Sequence, residues 1–427
     1  MKHASRIKRI TRALTVTVLT AALLCGCATY RSFKHTFVDE KTRNEGEVIY
    51  IGVYEPTSGD LAEQGNDELK GIRLANKIYS NVNGKRVELI VVDNQSRTGS
   101  AKTAIQDLIE MKPVLIIGSA GESLSMVASP YIKEAKIPMI TPSSTNPLIT
   151  QSNPYYFRAC ITDTQRGQGL AEYAYSELGS DKIGIITIRN DSTSSMLTDG
   201  FMNKLDELSQ DDEDPIVLRT VINLDDYELT GVVDRISESG ASVVFMPVGL
   251  EKADVIFTQI EEANLTGIIF LGEPNWAGSD FAAMMEKHPN IRVAFPSDYV
   301  AAETSTTENS VTDETERFQI EYANMYGVND IPSENTALGY DSYLLAINAI
   351  SRADSTDPQA VRDALAGIRN LQCTTGVFSF DDFGNPVREV NISTHRNGEI
   401  VLLYSSNSTT AEEMETIDSE IVEVTSE

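Results

Sequence analysis

Short apolar runs recur along the chain, and each pair is separated by enough residues for one helix. Runs at 48–53, 87–92, 114–117, 137–140, 183–188, 243–248, 268–271 and 291–295 read as strands. Between them, stretches near 64–80, 99–111, 123–135, 164–179, 195–209, 227–239, 250–264 and 277–287 carry apolar residues at helical spacing. Near-continuous Val/Ile/Leu runs alternating with helices predict parallel strands covered on both faces. After Ser297 a Thr/Glu-rich stretch leads into helices near 313–326, 335–353 and 358–366. Residues 376–404 then alternate as antiparallel strands, with turns at Gly384-Asn385-Pro386 and Asn397-Gly398. The predicted class is α/β, with two doubly wound parallel-sheet lobes, and 427 residues suit two lobes plus tails.

Residues 113–147 concentrate the chemistry. Two apolar runs each stop in a turn of small polar residues, with a helical stretch between them, which is the pattern of a βαβ unit. Ligands of open α/β sheets bind outside the carboxyl ends of the strands. Those ends carry backbone N–H groups and the hydroxyls of Ser119, Ser123, Ser143, Ser144 and Thr145, with no His, Cys or Lys. Such a segment suits holding a small polar molecule unchanged.

The rest of the sequence agrees. His35, His288 and His395 lie away from any Ser or Cys in a triad context, and no G-x-S-x-G elbow or P-loop is present. Gly167-Gln168-Gly169 falls inside a helical stretch and fails the context of a dinucleotide fingerprint. No metal-ligand cluster has sensible spacing, and the acidic run 210–214 lacks the glycine and spaced ligands of a calcium loop. No catalytic residue, metal or cofactor is expected. A site made only of Asp, Glu and Tyr, as in an exported carbohydrate hydrolase, stays open on composition alone.

The N-terminus changes the picture of where the chain works. Lys2, Arg6, Lys8, Arg9 and Arg12 precede an apolar stretch at 13–24, followed by Leu24-Cys25-Gly26-Cys27. This resembles the lipobox of bacterial lipoproteins, which implies lipidation at Cys27, cleavage before it, and a membrane-tethered, extracytoplasmic protein. Residues 28–46 read as a flexible spacer and 405–427 as an acidic disordered tail. Losing the five cations of the leader takes the formal charge from −28 to about −33, which disfavours nucleic acid as a partner. Of the mature cysteines, Cys160 and Cys373 are either two buried thiols or a disulfide.

Four stretches follow one another in order: IGVYEPTSGDLAEQGNDELKGIRLA, GKRVELIVVDNQS, IIGSAGESLSMVASPYIKEAKIPMITPSSTNPLIT and YYFRACITDTQRGQGLAEYA. With GVFSFDDFGNPVREVNISTHRNGEIVLLY near the end, they resemble the solute-binding proteins of branched-chain amino-acid type ABC transporters, over residues 47–404. The resemblance implies the type I periplasmic-binding fold, two lobes joined by crossover hinge strands. Lobe one would be 47–160 plus 298–370, and lobe two 161–297 plus 371–404. Cys160 and Cys373 would then lie at two crossovers, where a bridge would limit closure.

The resemblance also implies a site. The family holds an amino acid's carboxylate by a Ser and backbone N–H after the third strand, where this chain has Ser119, Glu122 and Ser123. Glu122 stands where the Ser is expected, and an ionised Glu repels a carboxylate by several kcal/mol in a partly dry site. Ser123 takes the role, or Glu122 turns outward, or the ligand is no plain α-amino acid. Glu122 also suits a helix N-terminus. Ser143 and Thr145 match the second turn, Glu273 the acid that pairs with the ammonium, and Gln64 and Thr193 two positions usually aromatic. Trp276 either lines the cleft or anchors a loop. The expected activity is non-enzymatic: a monomer capturing a small polar, amino-acid-like ligand for an ABC permease. The rival within the same class is a sensing module for a membrane receptor.

Overall fold

The structure is a computed structural model that describes residues 48–209, 213–226, 228–301, 312–396 and 398–406. The leader, Cys27, the spacer, residues 210–212 and 302–311, Asn397 and the tail from 407 lie outside the described residues, and the expectations made for them lie there too.

Six strands build the first sheet: β1 (Val48–Glu55), β2 (Asn81–Val82), β3 (Lys85–Asp93), β4 (Leu115–Gly118), β5 (Met139–Thr141) and β6 (Tyr156–Arg158), in the order β2-β3-β1-β4-β5-β6. All pair in parallel except the short β2–β3 contact. Alternate residues of one strand feed two cores. Leu115 and Ile117 join the core that holds helices Ala62–Ile78 and Glu334–Ala353, while Ile116 joins the core under Thr98–Glu110 and Glu122–Ala135. That alternation is what the continuous apolar runs require of a doubly covered sheet.

The second lobe repeats the plan with β7 (Ile183–Ile188), β8 (Ile216–Ile222), β9 (Val243–Phe245), β10 (Ile269–Leu271) and β11 (Arg292–Ser297). Next in the chain, β12 (Leu371–Cys373), β13 (Gly376–Phe380) and β14 (Pro386–Val387) form a small antiparallel sheet. The hairpin of β15 (Asn391–Arg396) and β16 (Glu399–Ser405) then extends the second sheet, giving β16-β15-β11-β10-β9-β7-β8. Cys373, Phe378 and Phe380 pack in the first lobe's core.

Each lobe is tightened by one helix pair at backbone distance. A Cβ on Gly71 would lie 1.9 Å from Thr336 O, and one on Gly167 would lie 2.1 Å from Leu197 O. In the Gly167-Gln168-Gly169 stretch, Gly167 thus serves helix packing, and Gly169 meets the Val390 side chain.

Three chain crossings connect the lobes, and they converge on Asp298 at the end of β11. Its carboxylate accepts from the guanidiniums of Arg166 and Arg388 and from Ile161 N–H at 3.4 Å, and its own N–H donates to Glu334 at 2.9 Å. Burial pushes the Asp298 carboxyl upward, but Arg166 and Arg388 outweigh it and hold the group below its ordinary value. Cys160 and Cys373 are both free and buried, and burial pushes the Cys160 thiol up to about 12. The bridge that the crossover placement suggested is not formed.

Because its folded value is depressed, Asp298 contributes stability above the ordinary carboxylate range and loses it as the pH falls through the lower, folded value. The Asp298→Asn variant leaves two buried guanidiniums short of charge and is expected to lose about 3–5 kcal/mol at pH 7. Urea unfolding should show this gap at pH 7 and a smaller one near pH 3; equal midpoints at pH 7 would refute the role.

Candidate functional site

The two turns at the carboxyl ends of β4 and β5 are stitched to each other below the surface. Ser119 O accepts from Ser125 Oγ (3.0 Å), Ser144 Oγ (3.0 Å) and Thr141 Oγ1 (3.2 Å). Ser119 itself is fully buried, its hydroxyl donating to Ala120 O and accepting from Asn94 Nδ2. Its side chain braces the turn from behind. Arg158, also fully buried, donates to Ser144 O and Asn146 O, each at 2.8 Å, and pins the second turn. Burial holds its guanidinium below the usual value.

Beneath the turns lie two carboxyls for which the motif reading had no place. Glu55 ends β1, and Glu68 sits on the buried stripe of helix Ala62–Ile78; both have no solvent exposure. Ala120 N–H donates to Glu55 Oε2 at 2.7 Å, and Ser143 Oγ donates to Glu68 Oε1 at 2.6 Å. The remaining oxygens, Glu55 Oε1 and Glu68 Oε2, find no other donor. The two buried carboxyls feel each other's charge, so both cannot ionise together and a single proton between them relieves the repulsion. Desolvation raises Glu55 well above its usual value and the Glu68 charge adds to that. Desolvation also lifts Glu68, to about 7, against the lowering effect of Ser143 and Glu55.

The expected site residues fall into two linked groups. Gln64 Nε2 donates to Ser143 Oγ at 2.9 Å, which extends the chain from Glu55 through Glu68 to the surface. Glu122, the first residue of helix Glu122–Ala135, is turned toward the second turn rather than outward. The Thr145 hydroxyl lies within donating distance of both Glu122 Oε1 (2.9 Å) and Asp163 Oδ2 (2.8 Å). Asp163 opens helix Asp163–Glu172, whose Thr162–Gln165 capping box sets its position, so this contact joins the two lobes. Ser123 is exposed and Thr193 half-buried on helix Ser192–Leu208, and neither bonds to the others.

From the second lobe comes Glu273, just past β10 and only 8% exposed. Its Oε1 accepts from Asn275 Nδ2 at 2.5 Å. Burial pushes its carboxyl up to about 7; Asn275 opposes this, while the nearby charges of Asp191 and Asp163 add to it. Trp276 is fully buried, donates to Val248 O and stacks on Phe281, so it anchors the loop and does not line the cleft. His288 lies between Asp254 and Glu261, and His395 contacts Trp276 O; neither meets a nucleophile.

Raised carboxyls invert the usual pH dependence. Glu68 ionises in the unfolded chain near pH 4 and in the folded one near 7, so its contribution is full below that window and is lost as the pH rises through it. Glu68→Gln keeps an acceptor for Ser143 and removes the titration. Its stability relative to the natural protein should rise by roughly 1–3 kcal/mol between pH 5 and pH 8 in urea unfolding; a pH-independent difference would count against the shared proton.

A family model described as periplasmic binding protein matches residues 48–399. The chain is 27% identical over 223 residues to an amino acid binding protein of Pseudomonas aeruginosa, a match spanning 51% of this chain and 58% of that relative. It is 22% identical over 348 residues to a Leu/Ile/Val-binding protein homologue of Brucella melitensis, covering 79% and 88% of the two chains. Among solved structures, a leucine binding protein from Thermotoga maritima superimposes with a TM-score of 0.68 at 25% identity, over 84% of this chain and 99% of that one. With its two doubly wound lobes, its converging crossings and a family match that spans them, the chain belongs to the periplasmic binding protein family.

Proposed function

We propose that this is an exported, lipid-anchored, monomeric solute-binding protein that closes two lobes on a small amino-acid-like solute and hands it to an ABC permease. The observation that carries the reading is the Thr145–Asp163 contact. It sets the carboxyl-end turns of the first sheet against the first helix of the second lobe, with Glu273 within electrostatic reach. The lobes in this reading are 48–160 with 298–380, and 161–297 with 386–406. Gln64, Glu122, Ser123, Ser143 and Thr145 face the solute from the first, and Thr193 and Glu273 from the second.

The reading needs no chemistry at the site. Among the described residues no helix is long and apolar enough to cross a membrane, so attachment in this reading falls to Cys27. A ligand closes such a protein only by contacting both lobes, which is what a hinge motion requires.

Calorimetry of the full-length chain against a panel of L-amino acids and their amides should find a saturable binder that is recovered unchanged. A panel without any binder would sink the solute-binding reading. Thr145→Ala should weaken that binding by about 1–3 kcal/mol through the unpaired partner it leaves; unchanged affinity removes Thr145 from the site. Cys27→Ser should shift the expressed protein from the membrane fraction to the soluble fraction.

A further inference from the structure

This inference rests on the solute-binding reading and names the class of solute. We propose that the cleft selects a small organic cation with two separated N–H donor groups and no free carboxylate, an amine or guanidine rather than a zwitterionic amino acid.

The charge around the cleft is short of cations. At the hinge, Asp163, Asp298 and Glu334 share Arg166 and Arg388, three carboxyls against two guanidiniums. Arg158 is the cation that feels Glu122, and its terminal nitrogens are spent on the carbonyls of Ser144 and Asn146. Glu122, Asp191 and Glu273 are left with no ion pair among the described residues. Each has some local support: Thr145 for Glu122, the Ser194 N–H for Asp191, and Asn275 for Glu273.

Two of these groups are incompletely served where a ligand would sit. Glu122 has only neutral donors, the Thr145 hydroxyl that it shares with Asp163 and Asn146 Nδ2 at 3.4 Å, and no cation. Glu273 is nine-tenths buried, and its second oxygen has no hydrogen bond within the described residues. Burial, with the charges of Asp191 and Asp163 added, raises that carboxyl to about 7. The Glu122 and Glu273 sides belong to different lobes. One cation with a donor at each end therefore contacts both.

Against a carboxylate, the N–H groups that open helix Glu122–Ala135 and the exposed Ser123 hydroxyl are opposed by the Glu122 charge itself. Ala120 N–H, in the turn where an anion would look for donors, points inward to Glu55, and Glu122 stands at the mouth of the same turn. A metal ion is a poor fit, since no three of the described His, Cys, Asp or Glu side chains converge closely enough to ligate one.

The test uses matched pairs that differ in the carboxylate: arginine against agmatine, and leucine against leucinamide. Titrated into the full-length chain by calorimetry, the carboxylate-free member should bind at least about tenfold more tightly in at least one pair. Glu122→Ser should narrow that ratio by a similar factor. Arginine or leucine binding as tightly as its partner, or more so, overturns the inference and leaves the solute-binding reading standing. A preference that survives unchanged in Glu122→Ser overturns the role given to that carboxylate. Silence from both members of both pairs overturns the inference too; the solute-binding reading falls with it only when the wider amino-acid panel is also silent.

Discussion

The architecture depends on one buried carboxylate. Asp298 sits at the second crossing, accepts from Ile161 at the first, and holds Arg388, which follows β14 at the third. Arg166 brings in the first helix of the second lobe, and Glu334 the long helix of the first. Breaking such a network from one side leaves buried charge uncompensated, which is far more costly than never having built it. The crossings are thereby held together in charge by one network.

A second constraint acts on the first lobe alone. Glu55 and Glu68 tie the two binding turns to the core from below, one through Ala120 and the other through Ser143. Two carboxyls in a dry site cannot both ionise, and a single proton between them relieves the repulsion. These two turns are therefore held in place from the core side. Polar satisfaction beneath the turns, rather than the hydroxyls at their surface, keeps this half of the site in one geometry.

The division of the chain into strands and helices was legible because the apolar runs are long and buried on both faces. β8 was not, since it is an edge strand: Val217 and Val221 are exposed and Arg219 interrupts the pattern. β6 is three residues of aromatic and charged character that no periodicity marks. In the candidate site, Thr145, Glu122 and Glu273 could be singled out from motif position. Ser119 looked equally suited, but a serine's role turns on which way its hydroxyl points, and here it points into the core. Asp163 is visible in sequence only as the first residue after a capping threonine. Its contact with Thr145 is set by how the lobes meet, which no local pattern carries. Glu55 might have been found by applying to β1 the rule used for β4 and β5, that functional groups gather at carboxyl ends of parallel strands. Glu68 has no such signal; a buried glutamate on an apolar helix face reads from sequence as an exposed one.

These two half-sites are built differently, and that difference bears on selectivity. The first is braced by buried hydrogen bonds through Ser143, Ser144 and Ala120, and the second by capping interactions, with Asp191 holding the Ser194 N–H and Asn275 holding Glu273. Little side-chain ordering is left to be done when the lobes close, so a ligand's binding energy goes into the difference between open and closed states. That makes mismatches expensive. In the proposed reading, a solute that fails to reach Glu273 leaves a nearly buried carboxyl near two other acids, and one that brings a carboxylate to Glu122 meets its charge. Selection in this cleft thus follows from what the wrong ligand leaves unpaired as much as from what the right one contacts.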